Sequence, residues 1–162
     1  MEFNGKIAEI TIEPKIKRVI TLNFSGVHLS FRCQRCAVFC CKLGAPKLLT
    51  FDIERLKQAG RSPHTFLDVK QAGPKSKKDG SCIFLSYNAE EGLRQCSVYN
   101  YRPTYCKLYP FKFEKSGRQS YTLNLIPCCN GLNIQNGEEV DEKFFVKHLQ
   151  EILFYLIDSN AI

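Results

Sequence analysis

Four of the nine cysteines in this 162-residue chain lie within nine positions of one another. They are Cys33, Cys36, Cys40 and Cys41. A tight turn across the two residues between the first pair can point both sulfurs inward, so that they bind one metal. Thiols clustered in this way predict a metal site.

The adjacent pair Cys40 and Cys41 raises a question of geometry. Neighbouring side chains diverge by about 100° in a helix and point to opposite faces in a strand. We therefore expect these two sulfurs to serve two different centres. The remaining cysteines are Cys82, Cys96, Cys106, Cys128 and Cys129. The total is enough for two four-thiolate sites with one cysteine left over.

Length and composition predict one globular domain over residues 1–162. The first residues lack the basic segment and apolar core of a signal peptide, and the cysteine count is odd. Both observations favour a cytoplasmic, reducing location over extracellular disulfides. No apolar run approaches the roughly eighteen residues of a transmembrane helix, so we expect no membrane association.

The formal charge of +7 invites a nucleic-acid partner. Metal binding ionises thiols, however, and two four-thiolate sites would lower the total to roughly +3. Several cations lie close to cysteines in sequence, where they can offset a negative site: Arg32, Arg35, Lys42, Arg94, Arg102 and Lys107. Internal compensation is therefore favoured over nucleic-acid binding, which remains the alternative.

The N-terminal third is predicted to be extended before it becomes helical. Residues 6–24 alternate like two strands of a hairpin divided at Pro14, and residues 26–31 extend towards the first cysteine. Thr50 is the predicted cap of a helix that ends at Gly60. A second short helix is predicted over residues 62–69, followed by a solvated lysine-rich loop over residues 73–80.

Further strands and helices are predicted around the later cysteines. Residues 83–85 predict a short buried strand, and a turn over residues 88–92 completes a hairpin that presents Cys82 and Cys96 together. Prolines at positions 103 and 110 limit the helix around Cys106 to one or two turns. Residues 121–126 predict a strand, and residues 138–158 an amphipathic C-terminal helix.

The order of motifs resembles the YkgJ-type cysteine-cluster proteins over residues 31–132. The matching segments are residues 33–41, 49–53, 81–85, 96–99, Arg102-Pro103 before Cys106, 109–111 and 129–131. Two features depart from the family pattern Cys-x-x-Cys-Gly-x-Cys-Cys. Ala37, Val38 and Phe39 make the gap one residue longer and remove its glycine. Cys128 precedes the matching Cys129 and is taken as the spare.

The family is described as zinc- or iron-chelating and is often labelled iron–sulfur oxidoreductase-like. The resemblance thus implies eight metal ligands: Cys33, Cys36, Cys40, Cys41, Cys82, Cys96, Cys106 and Cys129. Zinc favours paired Cys-x-x-Cys knuckles, but only one such pair is present and the other ligands arrive singly. A 4Fe-4S iron–sulfur cluster is therefore preferred, with Zn²⁺ as the alternative.

Residues beside the cysteines have expected supporting roles. We predict that Arg102 hydrogen-bonds a cluster sulfur or a backbone carbonyl. Four tyrosines are expected to shield the metal from water: Tyr99, Tyr101, Tyr105 and Tyr109. Arg102 and Tyr109 are the predicted cofactor contacts, and no catalytic residue is assigned.

These expectations define the fold class and three functions. The fold class is α+β: a small, metal-stabilised domain with N-terminal strands over residues 1–31, a cysteine-cluster core over 32–132 and a C-terminal helix. The preferred function is a metal-binding protein with a redox or modification-supporting role and an unidentified redox or protein partner. One alternative is a zinc-stabilised module that contacts nucleic acid or an acidic protein. The other is an enzyme like the related flagellin lysine methylases, although no separate methyl-donor motif is evident.

Overall fold

The chain folds into a mixture of helices and strands, which confirms the predicted α+β class. The computed structural model describes residues 5–37, 39–42 and 44–162. Its contacts divide the chain into two compact units, unit 1 (Met1–Cys33 and Pro110–Ile162) and unit 2 (Gln34–Tyr109). Unit 2 is thus continuous in sequence, and the chain of unit 1 is interrupted by it.

Unit 1 is built on a four-stranded antiparallel sheet with the order β2-β1-β9-β8. The strands are β1 (Lys6–Glu13), β2 (Arg18–Phe24), β8 (Phe111–Lys115) and β9 (Ser120–Leu125). Pairing of β1 with β2 across a 3₁₀ turn (Pro14–Ile16) confirms the predicted hairpin. Ile10 and Ile12 are buried on β1, as expected for alternate positions of a strand with one covered face.

Sequence reasoning found β9 but missed its partner β8. Phe111 and Phe113 are buried while Lys112 and Glu114 are exposed, which is the alternation of a half-buried strand. Pro110 lies just after the preceding helix, and the alternation of β8 begins at the next residue, so the sequence did not predict this strand. The strand closes one edge of the sheet by pairing with β9.

The C-terminal helix begins later than predicted. Residues Glu138–Glu139 form β10, which pairs antiparallel with β3 (Ser30–Phe31), so the predicted helical start at residue 138 is wrong. The Asp141 side chain then accepts a hydrogen bond from the Phe144 N–H at 2.9 Å. This cap gives a hydrogen-bond acceptor to one of the N–H groups that have no partner within the first turn of the helix. The helix follows as α5 (Glu142–Phe144), a π-helical turn (Phe145–Leu149) and α6 (Gln150–Asp158).

An aromatic cluster fixes the strand that leads to the first cysteine. Phe31, Phe111 and Phe144 pack pairwise with ring centroids 5.4–6.3 Å apart and edge-to-face geometry. The helical stripe predicted for core packing is also confirmed, since Phe145, Leu149, Leu153 and Leu156 are buried.

Unit 2 consists of short elements joined by turns. Its helices are α1 (Phe39–Lys42), α2 (Thr50–Gln58), α3 (Pro63–Phe66) and α4 (Thr104–Leu108), and a 3₁₀ turn covers Tyr99–Tyr101. Its strands are β4 (Leu67–Asp68), β5 (Gly73–Pro74), β6 (Leu85–Asn88) and β7 (Leu93–Cys96), paired β4 with β5 and β6 with β7. The hairpin predicted before Cys96 and the short helix predicted around Cys106 are confirmed.

Three details of unit 2 differ from expectation. Thr50 is the first residue of α2 and not its cap, because the Asp52 carboxylate accepts from the Leu49 N–H at 3.0 Å. The helix predicted over residues 62–69 ends at Phe66, where β4 begins. The strand predicted at residues 83–85 starts at Leu85, since residues 83 and 84 form a turn.

Among the described residues, no helix combines the length and the apolar character needed to cross a membrane.

Replacing Phe144 by alanine tests the aromatic cluster. The side chain is 4% exposed, and its loss should lower the free energy of unfolding by about 3 kcal/mol because a cavity is left between the other two rings. Urea denaturation of the purified protein measures the change. Val146→Ala, on the exposed side of the same helix, is the control and should change stability by less than about 0.5 kcal/mol. Equal losses in the two variants would contradict the assigned packing.

Candidate metal centre

Five of the predicted ligands meet inside unit 2. They are Cys40, Cys41, Cys82, Cys96 and Cys106, and the effects of each thiol on the pKa values of the others show that they lie within electrostatic range. All nine cysteines of the chain are among the described residues, and none is in a disulfide. The group is therefore a cluster of five thiols from one unit of the chain.

Four separate segments bring these thiols together. Cys40 and Cys41 lie on α1, and the Cys41 carbonyl accepts a 2.9 Å hydrogen bond from the Cys82 N–H. Cys96 ends β7, opposite Leu85 at the start of β6. Cys106 lies in the middle of α4. The side chains of Cys41 and Cys82 are 6% and 5% exposed and belong to the hydrophobic core of unit 2.

The two adjacent cysteines do not point apart as expected. Their sulfur atoms lie 4.0 Å apart on the single turn of α1. The premise that neighbouring side chains must diverge is therefore wrong here. Which centre each of the two serves stays a prediction.

The Cys41 thiol links two neighbours that ionise easily. Hydrogen bonding to Cys41 lowers the pKa of Cys40 to about 7 and that of Cys96 to about 6. The same hydrogen bonds, together with burial, raise the pKa of Cys41 itself. The Cys41 thiol thus favours ionisation of its two neighbours, and thiolates are the form that binds metals.

The other two thiols of the cluster have raised pKa values. Burial is the main cause for Cys82 and for Cys106, and for Cys106 the charges of Cys82, Cys96 and Cys40 add to it. Bringing these thiols together without a cation is therefore costly, since every added thiolate repels the others. A bound metal would reverse this by favouring the ionised form of all of them.

Three cations act on the cluster, and one of them, Arg61, lies far from the cysteines in sequence. Arg102 lowers the pKa values of Cys40, Cys96 and Cys106, Arg61 that of Cys96, and Lys77 that of Cys82. The side chain of Arg61 donates to the Ser97 carbonyl at 3.2 Å, and Lys77 donates to the Leu85 carbonyl. Sequence proximity identified Arg102 but could not identify Arg61, whose partner Ser97 is distant in sequence. Lys77 precedes Cys82 closely in sequence but was predicted only as part of a solvated loop.

A buried carboxylate holds the segment that carries Cys106. Asp52 on α2 is fully buried and accepts from the Thr104 N–H at 2.9 Å and the Thr104 hydroxyl at 2.8 Å, at the first residue of α4. Arg55, also on α2, lies 3.4 Å from this carboxylate and donates to the Arg102 carbonyl. The sequence gives no signal of this role, because the partner of Asp52 is distant along the chain.

The remaining predicted ligands lie elsewhere. Cys33 and Cys129 belong to unit 1, where the Arg32 N–H donates to the Gly131 carbonyl at 2.9 Å and so places the two cysteines on neighbouring segments. Cys36 is half-buried in unit 2, and Cys128 is exposed. That Cys128 is the one cysteine that binds no metal remains a prediction.

Tyr109, a predicted cofactor contact, lies at the end of α4. Its N–H donates to the Tyr105 carbonyl at 3.1 Å. This hydrogen bond involves only the backbone, so the contact between the Tyr109 side chain and a cofactor remains a prediction.

Ala37 adopts the conformation that the missing glycine of the family pattern would favour. Its φ of 51° lies in the left-handed region, and its side chain is only 4% exposed. Arg35, on the other side of Cys36, also has a positive φ of 53°. Left-handed backbone costs an alanine about 1–2 kcal/mol. Val38, in the middle of the longer gap, lies outside the described residues.

The donor set fits a metal that prefers sulfur. Thiolates select zinc and iron–sulfur clusters over calcium or magnesium, and the cations around the cluster offset the charge of such a site. Within residues 5–37, 39–42 and 44–162, no group of three or more histidine, cysteine, aspartate or glutamate side chains is arranged to hold a metal ion. The thiols therefore supply the right chemistry, and their side chains must adjust to complete a coordination sphere.

Replacing Asp52 by alanine should destabilise unit 2 strongly. The change leaves three buried donors without their acceptor, which should lower the free energy of unfolding by about 3 kcal/mol or more. Glu54→Gln, on the same helix, is the control because Glu54 is exposed. Urea denaturation of both variants measures the difference, and a loss below about 1 kcal/mol for Asp52→Ala would contradict the role of this carboxylate.

Replacing Ala37 by glycine should stabilise the loop between the first cysteines. Glycine relieves the strain of the left-handed backbone, and this gain exceeds the cost of the larger conformational entropy of the unfolded chain. The free energy of unfolding should therefore rise by about 0.5–1 kcal/mol. Ala45→Gly is a matched control, because Ala45 has no positive φ and should be destabilised by the same substitution. Thermal denaturation measures both changes, and destabilisation by Ala37→Gly would contradict the described conformation.

Comparison with known proteins gives one match. Residues 32–130, well over half of the chain, match the family model CxxCxxCC, described as "Putative zinc- or iron-chelating domain". No curated protein and no solved structure matches the chain. The matched region contains the five clustered thiols, and its description supports metal binding. The chain therefore belongs to the CxxCxxCC family.

Proposed function

We propose that unit 2 binds an iron–sulfur cluster of the 4Fe-4S type through Cys40, Cys82, Cys96 and Cys106. Such a cluster, when bound, supplies one-electron redox chemistry. The role proposed for the protein is to carry that centre in electron transfer or in support of a modification reaction. Cys41 is the fifth thiol, which hydrogen-bonds to two of the ligands.

The proposal is carried by the mutual arrangement of these four thiols. Each of them lies within electrostatic range of the other three, and each comes from a different segment of unit 2. In a 4Fe-4S centre every iron takes its own cysteine, so ligands that arrive singly around a shared volume suit it. Partial burial supports it further, since these sites exclude most water.

The surrounding residues have defined roles in this proposal. Arg102, Arg61 and Lys77 offset the negative charge of a four-thiolate site. Asp52 fixes the start of α4 and with it the position of Cys106. The Cys41 thiol keeps Cys40 and Cys96 available as thiolates.

A zinc site is the second candidate, and one distance favours it. Two thiolates on one tetrahedral zinc, at bonds of about 2.3 Å, have sulfurs about 3.8 Å apart. The separation of 4.0 Å between the sulfurs of Cys40 and Cys41 is close to that value. In this case both adjacent cysteines bind one ion, and the module has a structural role towards a nucleic acid or an acidic protein.

Metal analysis of anaerobically purified protein tests the two candidates. The iron–sulfur proposal predicts a brown protein with broad absorption near about 400 nm, about four irons and four sulfides per chain, and reversible bleaching by dithionite. A colourless protein with one or two zinc ions per chain would reject this proposal in favour of the zinc site. Nucleic-acid binding by that zinc protein would then identify its partner.

Single cysteine replacements test the ligand assignment. Serine at position 82, 96 or 106 should reduce bound metal by more than half, because a hydroxyl is a poor ligand for these centres. Cys41→Ser should retain the iron, whereas under the zinc alternative it should lose the metal as Cys40→Ser does. Cys128→Ser, at an exposed cysteine, is the control and should bind metal like the wild type. Full metal content in Cys106→Ser would contradict the assignment.

A further inference from the structure

A stack of three side chains lies beside the thiol cluster. The guanidinium carbon of Arg35 lies 4.1 Å from the centroid of the Tyr99 ring, and that of Arg102 lies 3.9 Å from the same centroid. Both distances are well within the range of about 6 Å over which a cation is attracted to a ring face. One tyrosine ring therefore interacts with two cations in unit 2.

The two arginines reach this ring from different parts of the sequence. Arg35 lies in the loop beside Cys36 and has a left-handed backbone, a conformation that costs energy and needs support from its surroundings. Arg102 follows the 3₁₀ turn that carries Tyr99, and its Nε donates to the Tyr99 carbonyl at 3.1 Å. The stack thus joins the loop of the first cysteines to the segment before Cys106.

Arg102 is also the cation that acts on most of the cluster. It lies within electrostatic range of three thiols of the cluster, Cys40, Cys96 and Cys106. Its own backbone carbonyl is held by Arg55, so both ends of the residue are fixed. A guanidinium that is stacked and hydrogen-bonded loses little further freedom when it faces a negative site.

We propose that Tyr99 is a positioning residue for the metal centre, whose ring holds Arg102 beside the thiols with Arg35 stacked on the same ring. This inference rests on the metal centre proposed above. The part of Tyr99 that this role uses is the face of its aromatic ring. The stack keeps one positive charge close to the centre, which favours its reduced and more negative state and slows loss of the metal.

Tyr99→Leu and Tyr99→Phe separate the ring from the hydroxyl. Leucine should shift the midpoint potential of the bound centre to more negative values and speed iron loss to a chelator several-fold, because Arg102 is no longer held. Phenylalanine keeps the ring face and should leave both quantities unchanged. Tyr101→Leu is the matched control, from the same 3₁₀ turn and with a side chain that is half exposed.

A double-mutant cycle shows whether Tyr99 acts through Arg102. Arg102→Gln should shift the potential in the same direction as Tyr99→Leu, and adding Tyr99→Leu to it should cause little further shift. Arg35→Gln should give a smaller shift of the same sign. Additive effects of the first two changes, or an unchanged potential in Tyr99→Leu protein with full metal content, would overturn the positioning role.

The outcomes also separate this inference from the proposed function. If the wild-type protein contains zinc and no iron, the proposed iron–sulfur cluster fails. The inference is then measured by the rate of zinc transfer to a chelator, which Tyr99→Leu should increase and Tyr99→Phe should not. Equal transfer rates in the wild type and Tyr99→Leu would overturn it.

Discussion

Repulsion between thiolates is the constraint on which unit 2 depends. Five sulfurs share one partly buried region, and the charges of neighbouring thiolates help to raise the pKa values of Cys41, Cys82 and Cys106. Two features of the chain oppose this repulsion: the interaction of the Cys41 thiol with Cys40 and Cys96, and the positive charges of Arg61, Lys77 and Arg102. A cationic metal would complete this compensation, which explains why the basic excess of the sequence need not indicate nucleic-acid binding.

Holding cysteines from four segments at one place requires strong local anchors in a unit with few long elements. Asp52 supplies one such anchor, because a single buried carboxylate satisfies donors at the starts of both α2 and α4. The hairpin of β6 and β7 supplies another, since it places Cys96 beside the turn that follows Cys82. The ligands are therefore positioned by hydrogen bonds between short segments more than by an extensive hydrophobic core.

Local signals in the sequence predicted much of this architecture. The α+β class, the N-terminal hairpin, strand β9, the short helix around Cys106 and the apolar stripe of the last helix all follow from periodicity and proline positions. The same signals could not reveal β8, whose alternation begins directly after a proline. They placed the start of the last helix at residue 138 because acidic residues also suit an exposed strand such as β10.

The candidate site was predictable in its chemistry and less so in its geometry. Spacing identified the cysteines and sequence proximity identified Arg102, but the partners of Asp52 and Arg61 are set by long-range contacts. The 4.0 Å approach of Cys40 and Cys41 depends on side-chain rotation on a single helical turn, which a rule about backbone direction does not capture.

The interruption of unit 1 by unit 2 has a consequence for the order of folding during synthesis. Unit 2 is continuous from Gln34 to Tyr109, so all of its cysteines leave the ribosome before β8 and β9 do. Strand β1 leaves the exit tunnel first but must wait for β9, its partner on the side away from β2. The nascent chain therefore exposes one edge of its N-terminal hairpin while the residues of unit 2 are already free to fold.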